Sequence, residues 1–146
     1  MTEETRSASS ANRETVLQHF DAKIRLDGKV LAEQMTPDVT WWAPRSTDRL
    51  GMPRPMNGRD AVIEMLTSVP LYQPESRRWN IHHVVADDDT AVVHASLSAL
   101  TRSGVPYEND YAFVFQFREG LIDAVWEHLD TAYAYDRFQG GSERVG

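Results

Sequence analysis

The chain has 146 residues, 41% of them hydrophobic and 25% charged, which fits one domain with a real core and excludes wholesale disorder. A formal charge of -7, from 22 acidic against 15 basic side chains, argues against nucleic-acid binding, and no apolar run is long enough to span a membrane. There is no cysteine, hence no disulfide framework or thiolate chemistry, and the polar start MTEETRSASSANRE lacks the apolar stretch of a signal peptide, so the expected setting is the cytoplasm.

Positions 1–11 are small and polar and read as a disordered tail. Asn12 is the expected cap of a first helix whose apolar stripe is Val16, Leu17, Phe20 and Ile24. Asp27-Gly28 breaks it, and a second short helix runs from Lys29 to Met35, ahead of Pro37. Asp38 to Ala43 (DVTWWA) is β-branched and aromatic and reads as a strand. Pro44 to Asn57, rich in proline, reads as a loop forming a lid or pocket wall; Gly58 to Val69 is helical and is stopped by Pro70.

The second half is strand-like over Trp79–Ala86, Ala91–Leu100, Tyr107–Arg118 and Leu121–Asp130. The separators Asp87-Asp88-Asp89, Ser103-Gly104 and Glu119-Gly120 are turn chemistry, so the strands form an antiparallel meander. Helices first and a long sheet afterwards define an α+β layout with the helices on one sheet face. A single domain over 12–138 is expected, with 139–146 a flexible tail.

This order of elements resembles the nuclear transport factor 2-like superfamily and, within it, the SnoaL-like group, kin to limonene-epoxide hydrolase, ketosteroid isomerase and the SnoaL-type polyketide cyclases. The resemblance is carried by Asp38-Val39-Thr40-Trp41-Trp42, by Gly58-Arg59-Asp60-Ala61-Val62 and by the stretch from Tyr107 to Phe115. Glu119-Gly120-Leu121-Ile122 and Glu127-His128-Leu129-Asp130-Thr131 complete it. It implies a cone-shaped barrel made from a curved, mostly antiparallel sheet wrapped on the N-terminal helices, with a deep apolar pocket between them. It also implies a homodimer through the convex sheet face.

Strand side chains alternate between faces, so parity selects the pocket wall. On the strand from Tyr107 the odd positions are aromatic apart from Asn109, which reads as a cavity wall with Asn109, Tyr111 and Phe113 touching a ligand; packing under the helices is the other reading of its phenylalanines. On the last strand the even set, Ile122, Ala124, Trp126, His128 and Asp130, is somewhat more apolar, so periodicity favours it as the inward one, whereas family position argues the other way. The resemblance implies a catalytic aspartate about seven residues after the turn glycine, which from Gly120 falls on Glu127, with Val125 and Leu129 on the same side. A carboxyl desolvated in an apolar cavity is suited to proton transfer near neutral pH; an exposed glutamate on the outer face is the plain alternative. Asp130, in an Asp-Thr pair, reads as a cap at the strand end.

The polar set of the strand Ala91–Leu100, with His94 and Ser96, faces either water or the pocket. The resemblance places His94 and Ser96 where the epoxide hydrolases carry an Arg-x-Asp pair, and Thr40 and Trp42 where they carry tyrosine and asparagine. Ala43 stands where ketosteroid isomerase holds its base. The epoxide-opening and dienolate routes of those enzymes are therefore disfavoured. What remains is an acid/base pair of Glu127 and His94, with Asn109 or Tyr111 donating to an oxyanion. Trp42 is the expected inward tryptophan, stacking a flat ligand, with Thr40 and Ser96 as further contacts.

His82 and His83 are expected on opposite faces, so no metal site is read, and no Gly-rich phosphate loop implies a cofactor. Arg45, Arg49, Arg54 and Arg59 read as loop charge. The expected function is cofactor-independent acid/base chemistry (cyclisation, isomerisation, dehydration or hydrolytic ring opening) on a hydrophobic, cyclic metabolite of polyketide or steroid/terpenoid type. The alternative is a non-catalytic ligand-binding or dimeric interaction module of the same fold.

Overall fold

In the computed structural model, which describes residues 7–51 and 53–143, helix α1 spans Ala8–Arg25. Its cap is Ser7, whose Oγ accepts from the Ser10 backbone N–H at 3.2 Å, so the helix begins ahead of the expected Asn12 and takes in positions 8–11 of the expected tail. Positions 1–6 lie outside the described residues. Asn12 is instead buried on the helix face that carries Val16, His19, Phe20 and Lys23, a spacing that follows the 3.6-residue period. Leu17 and Ile24, expected in the apolar stripe, flank that face and are only half-buried.

Helix α2 (Gly28–Glu33) is capped by Asp27, whose Oδ1 accepts from the Val30 N–H at 3.1 Å. Strand β1 (Met35–Trp42) follows, then a short 3-10 helix (Arg45–Leu50), β2 (Met56–Asn57) and helix α3 (Arg59–Ser68). The meander comprises β3 (Arg78–Ala86), β4 (Thr90–Leu100), β5 (Pro106–Arg118) and β6 (Leu121–Leu129). The Asn12 Nδ2 donates to the carbonyls of Asp87 and Asp88 at 3.1 and 3.0 Å, tying α1 to the tip of the β3–β4 hairpin.

A last helix, α4 (Thr131–Glu143), was not expected and extends into the segment read as a flexible tail. Asp130 starts it: its Oδ1 accepts from the Tyr133 N–H at 3.0 Å. The capping role expected of Asp130 thus serves a helix.

The sheet order is β2-β1-β6-β5-β4-β3, antiparallel throughout except for the parallel β1–β6 pair. Because β2 and β3 remain unpaired edges, the sheet is curved and open, where a barrel was expected. Helix α1 packs on β3 and β4, α3 on β1 and α4 against β5, so the helices line one face of the sheet. Between the layers lie Val16, Phe20, Met35, Val39, Phe113 and Phe115.

Two extra residues govern which side chains face inward. In β3, Ile81 pairs with Ala95 but His83 with the adjacent His94, leaving His82 as a bulge. Trp79 and Ile81 point to the core before it, Val84 and Ala86 after it. In β6, Ile122 pairs with Phe117 but Ala124 with Gln116, so Asp123 is extra. Ile122 is buried on one side of this bulge, and Val125 takes over the inward parity on the other. That switch is why simple alternation favoured the wrong set on this strand.

Candidate active site

A cavity of about 370 Å³ opens between the sheet and the helices, within the size range of small-molecule sites. Its walls are mostly apolar: Trp41 of β1, Trp79 of β3, Tyr111 and Phe113 of β5, and Leu129 of β6. Thr47, Pro53 and Met56 place the proline-rich loop in the wall, one of its two expected roles, and Phe138 of α4 adds to it.

Two ionisable side chains share this space. Glu127 projects from β6, and its Oε1 accepts a hydrogen bond from Trp41 Nε1 at 2.9 Å. Burial pushes its carboxyl above the usual carboxylate range, opposed by the Trp41 hydrogen bond and by the positive charges of Lys23 and His128. Lys23 comes from α1 and is only 4% exposed. Its Nζ lies 4.0 Å from the ring centre of Phe20, 4.6 Å from Phe113, 4.8 Å from Trp79 and 5.8 Å from Trp41. Burial lowers this amine to about 7, against the attraction of Glu127 and with help from Arg77. Lys23 escaped the sequence reading, although it sits seven residues after Val16 on the apolar face, where a lysine is out of place.

The hydroxyls form a chain at one end of the cavity. Asn109 Nδ2 donates to Tyr107 Oη at 3.0 Å, Tyr107 and Tyr111 hydroxyls meet at 2.6 Å, and Tyr111 and Tyr72 at 3.2 Å. With the Asn109 proton directed at Tyr107, one consistent orientation runs from Tyr107 through Tyr111 to Tyr72, leaving the Tyr72 hydrogen for the cavity. Burial holds the Tyr72 and Tyr111 phenols well above their ordinary range, so both are neutral donors.

Beneath Trp41 lies His19, fully buried and stacked on the indole at 5.9 Å. Neither ring nitrogen has a hydrogen-bond partner among the described residues. Burial, with the nearby Lys23 charge, holds it well below the usual histidine range, so it is neutral packing under the indole.

The structure sorts the expected site residues into three groups. Glu127, Tyr111, Phe113 and Leu129 line the cavity. Asn109 and Val125 are on the inward side but do not reach it: Asn109 Nδ2 also donates to the Asp130 carbonyl at 3.0 Å and its Oδ1 accepts from the Asp110 N–H, while Val125 is fully buried in the core.

The third group faces away. His94 is exposed on the outer face, its Nδ1 3.1 Å from that of His83. Ser96 is on the same face, where its Oγ meets His82 Nε2 at 2.7 Å and donates to Asp110 at 2.8 Å. The odd positions of β4 are the buried ones, so His94 cannot partner Glu127. Trp42 and Thr40 also leave the cavity, joined by a 3.2 Å hydrogen bond, because Val39 and Trp41 set the inward parity of β1. Trp41, not Trp42, is the inward tryptophan. The bulge at His82 also turns His82 and His83 to one face, contrary to the alternation expected of them. Even so, no group of side chains suited to a metal occurs among the described residues.

The architecture is an α+β cone of helices on an open curved sheet, with a carboxyl and an amine in its apolar cavity. A SnoaL-like domain model matches residues 16–125, and the chain belongs to that family. The matched stretch ends just before Glu127. No protein of curated function matches the chain in sequence. Among solved structures, an NTF2-like protein of unknown function from Burkholderia pseudomallei K96243 is 23% identical, with a TM-score of 0.80 over 88% of this chain and 98% of that one. TerC, crystallised with polyporic acid, is 21% identical, with a TM-score of 0.79 over 89% and 99%. A candidate SnoaL-like polyketide cyclase from Jannaschia sp. CCS1 is 18% identical, with a TM-score of 0.77 over 94% and 97%. At these identities the likeness establishes the fold. No helix among the described residues is long and apolar enough to cross a membrane.

Proposed function

We propose that the chain is a cofactor-independent enzyme performing general acid/base chemistry on a hydrophobic, cyclic small molecule of polyketide or steroid/terpenoid type. The observation that carries this reading is the Glu127 carboxyl, held by Trp41 at the wall of an apolar cavity. A carboxylate made more basic by burial takes a proton from carbon or oxygen more readily than a free one, and returns it as a stronger acid than water. Tyr72, at the end of the hydroxyl chain, is placed to donate to the oxygen on which charge develops. Cyclisation, isomerisation and dehydration all need this pair of functions. TerC's complex with polyporic acid and the Jannaschia cyclase candidate support a flat, oxygenated ligand as the first choice to test.

The test is a panel of steroid enones, polyketide-like diketones and quinones, with binding read from the fluorescence of Trp41 and Trp79. Turnover of the hits is then compared with that of Glu127→Gln. The variant is expected to bind as the native chain does and to lose turnover by about 10²–10⁴-fold. Unchanged turnover would remove Glu127 from the chemistry.

We also propose a homodimer through the outer sheet face, where Val85 and Val92 are paired across β3 and β4 and are 68% and 39% exposed. Light scattering of the native chain against Val85→Lys tests it; a monomer in both would reject it.

A further inference from the structure

Lys23 is a group that proton transfer by Glu127 does not require. It is one of only two lysines in the sequence, the other being Lys29, whereas arginine supplies the other 13 basic side chains. Its ammonium makes no hydrogen bond and no ion pair among the described residues; its neighbours are four aromatic rings. A charge so placed is costly unless it is paired, and a methionine or leucine would fill the same volume without that cost. Ring faces recover part of the loss for the charged form, but they offer nothing to hold the Nζ of the neutral amine away from a ligand. The side chain also lines the same cavity as Glu127 and Tyr72, so any molecule bound there meets the amine, the carboxyl and the phenol together.

We propose that Lys23 captures a hydrophobic aldehyde or ketone in this cavity as a Schiff base. This rests on the reading of Glu127 as the acid/base group and adds to it the substrate class, a carbonyl compound. The neutral Nζ adds its lone pair to the carbonyl carbon, forming the C–N bond as the carbonyl π pair moves to oxygen. A proton passes from nitrogen to that oxygen, giving the neutral carbinolamine. The Glu127 carboxyl then gives its proton to the hydroxyl, which leaves as water while the nitrogen lone pair closes the C=N bond. The products are a protonated imine on Lys23, water and the Glu127 carboxylate. No oxidant, reductant or metal enters the balance. The iminium withdraws electrons from the adjacent carbon, and the carboxylate just formed is the base that removes its proton, giving an enamine. An enamine is the carbon nucleophile that ring closure requires, and its reprotonation at another carbon is an isomerisation.

The groups facing the amine set its pH dependence: Glu127 from β6, Arg77 ahead of β3, and His19 on its own helix. Burial brings it to about 7. Half of Lys23 is then nucleophilic at neutral pH, against about one part in three thousand for an amine of ordinary basicity.

The full-length chain is incubated near pH 7 with 2-naphthaldehyde and sodium cyanoborohydride, which reduces an imine to a stable secondary amine, and the adduct is located by peptide mass mapping. Lys29, exposed at the start of α2, is the internal standard. Labelling of Lys23 at least tenfold faster than Lys29, reaching a plateau above neutral pH, is the expected result. Labelling confined to Lys29 and the chain's α-amino group, or equal rates at the two lysines, would overturn the proposal. The same mapping on Glu127→Gln separates the two readings. A Lys23 adduct in a variant with normal turnover keeps the Schiff base and removes the base; an unlabelled Lys23 in a native chain whose Glu127→Gln variant is inactive does the reverse.

Discussion

Replacing Lys23 by methionine is expected to stabilise the fold, by an amount that depends on pH. The folded environment brings the amine from 10.5 to about 7, and at about 1.4 kcal/mol per unit this opposes folding by roughly 5 kcal/mol below pH 7. The attraction of Glu127 is already contained in that figure, because it is one of the causes of the final value. Methionine keeps the length and the ring contacts but loses the cation–π attraction, which returns about 2 kcal/mol. The net gain for the variant is about 2–3 kcal/mol near neutral pH. The sign of the pH dependence follows from proton counting. Between about 7 and 10.5 the unfolded chain holds a proton that folded Lys23 has released, so native stability rises with pH and the gap narrows by up to about 1.4 kcal/mol per pH unit. Urea unfolding of both proteins at about pH 7 and about pH 9.5 measures it. A variant less stable than the native chain near pH 7, or a gap that does not change with pH, would refute the reasoning.

Three further substitutions probe the site from different sides. Trp41→Phe removes the 2.9 Å donor to Glu127 and leaves the carboxyl more basic, so the acid limb of the pH–rate profile moves up by about one unit; an unmoved limb would mean that the hydrogen bond does not tune Glu127. His94→Ala, on the outer face, is expected to leave ligand affinity and turnover unchanged and stability within about 0.5 kcal/mol, and a tenfold loss of turnover would return His94 to the chemistry. Tyr107→Phe breaks the hydroxyl chain and deprives buried Asn109 and Tyr111 of a partner, so thermal unfolding reports a loss of about 1–3 kcal/mol.

Most of the fold was legible because its signals are local. The turns at Asp87-Asp88-Asp89 and Glu119-Gly120 bracket their strands nearly to the residue, and the odd set of β5 is the buried one along its whole length. Helix α4 was not, since its aromatic residues Tyr133, Tyr135 and Phe138 sit in a short, weakly patterned segment that gains its order by packing on Tyr107 and Tyr72. The site was legible only in part. Glu127 was reached by position relative to a turn, against the local apolar pattern. His94, Ser96, Thr40 and Trp42 face away from the cavity because the parity of their own strands, and not correspondence with a distant family, sets their direction. In β1 and β4 the buried alternation of Val39 and Trp41, and of Val93, Ala95 and Leu97, pointed the right way. Lys23 was invisible to a reading that looks for apolar residues on a helix face, because its meaning there lies in being the wrong kind of residue.

The supernumerary Asp123 sets the phase of the last strand. Its carboxylate accepts from Thr36 at 3.0 Å and lies 3.5 Å from Arg118, so the extra residue is anchored at the rim, away from the cavity. Were the strand to run regularly through it, with no bulge, the parity that buries Ile122 would run on to Trp126 and His128, and Glu127 would face outward. One bulged residue in β6 therefore decides which side chains the cavity receives.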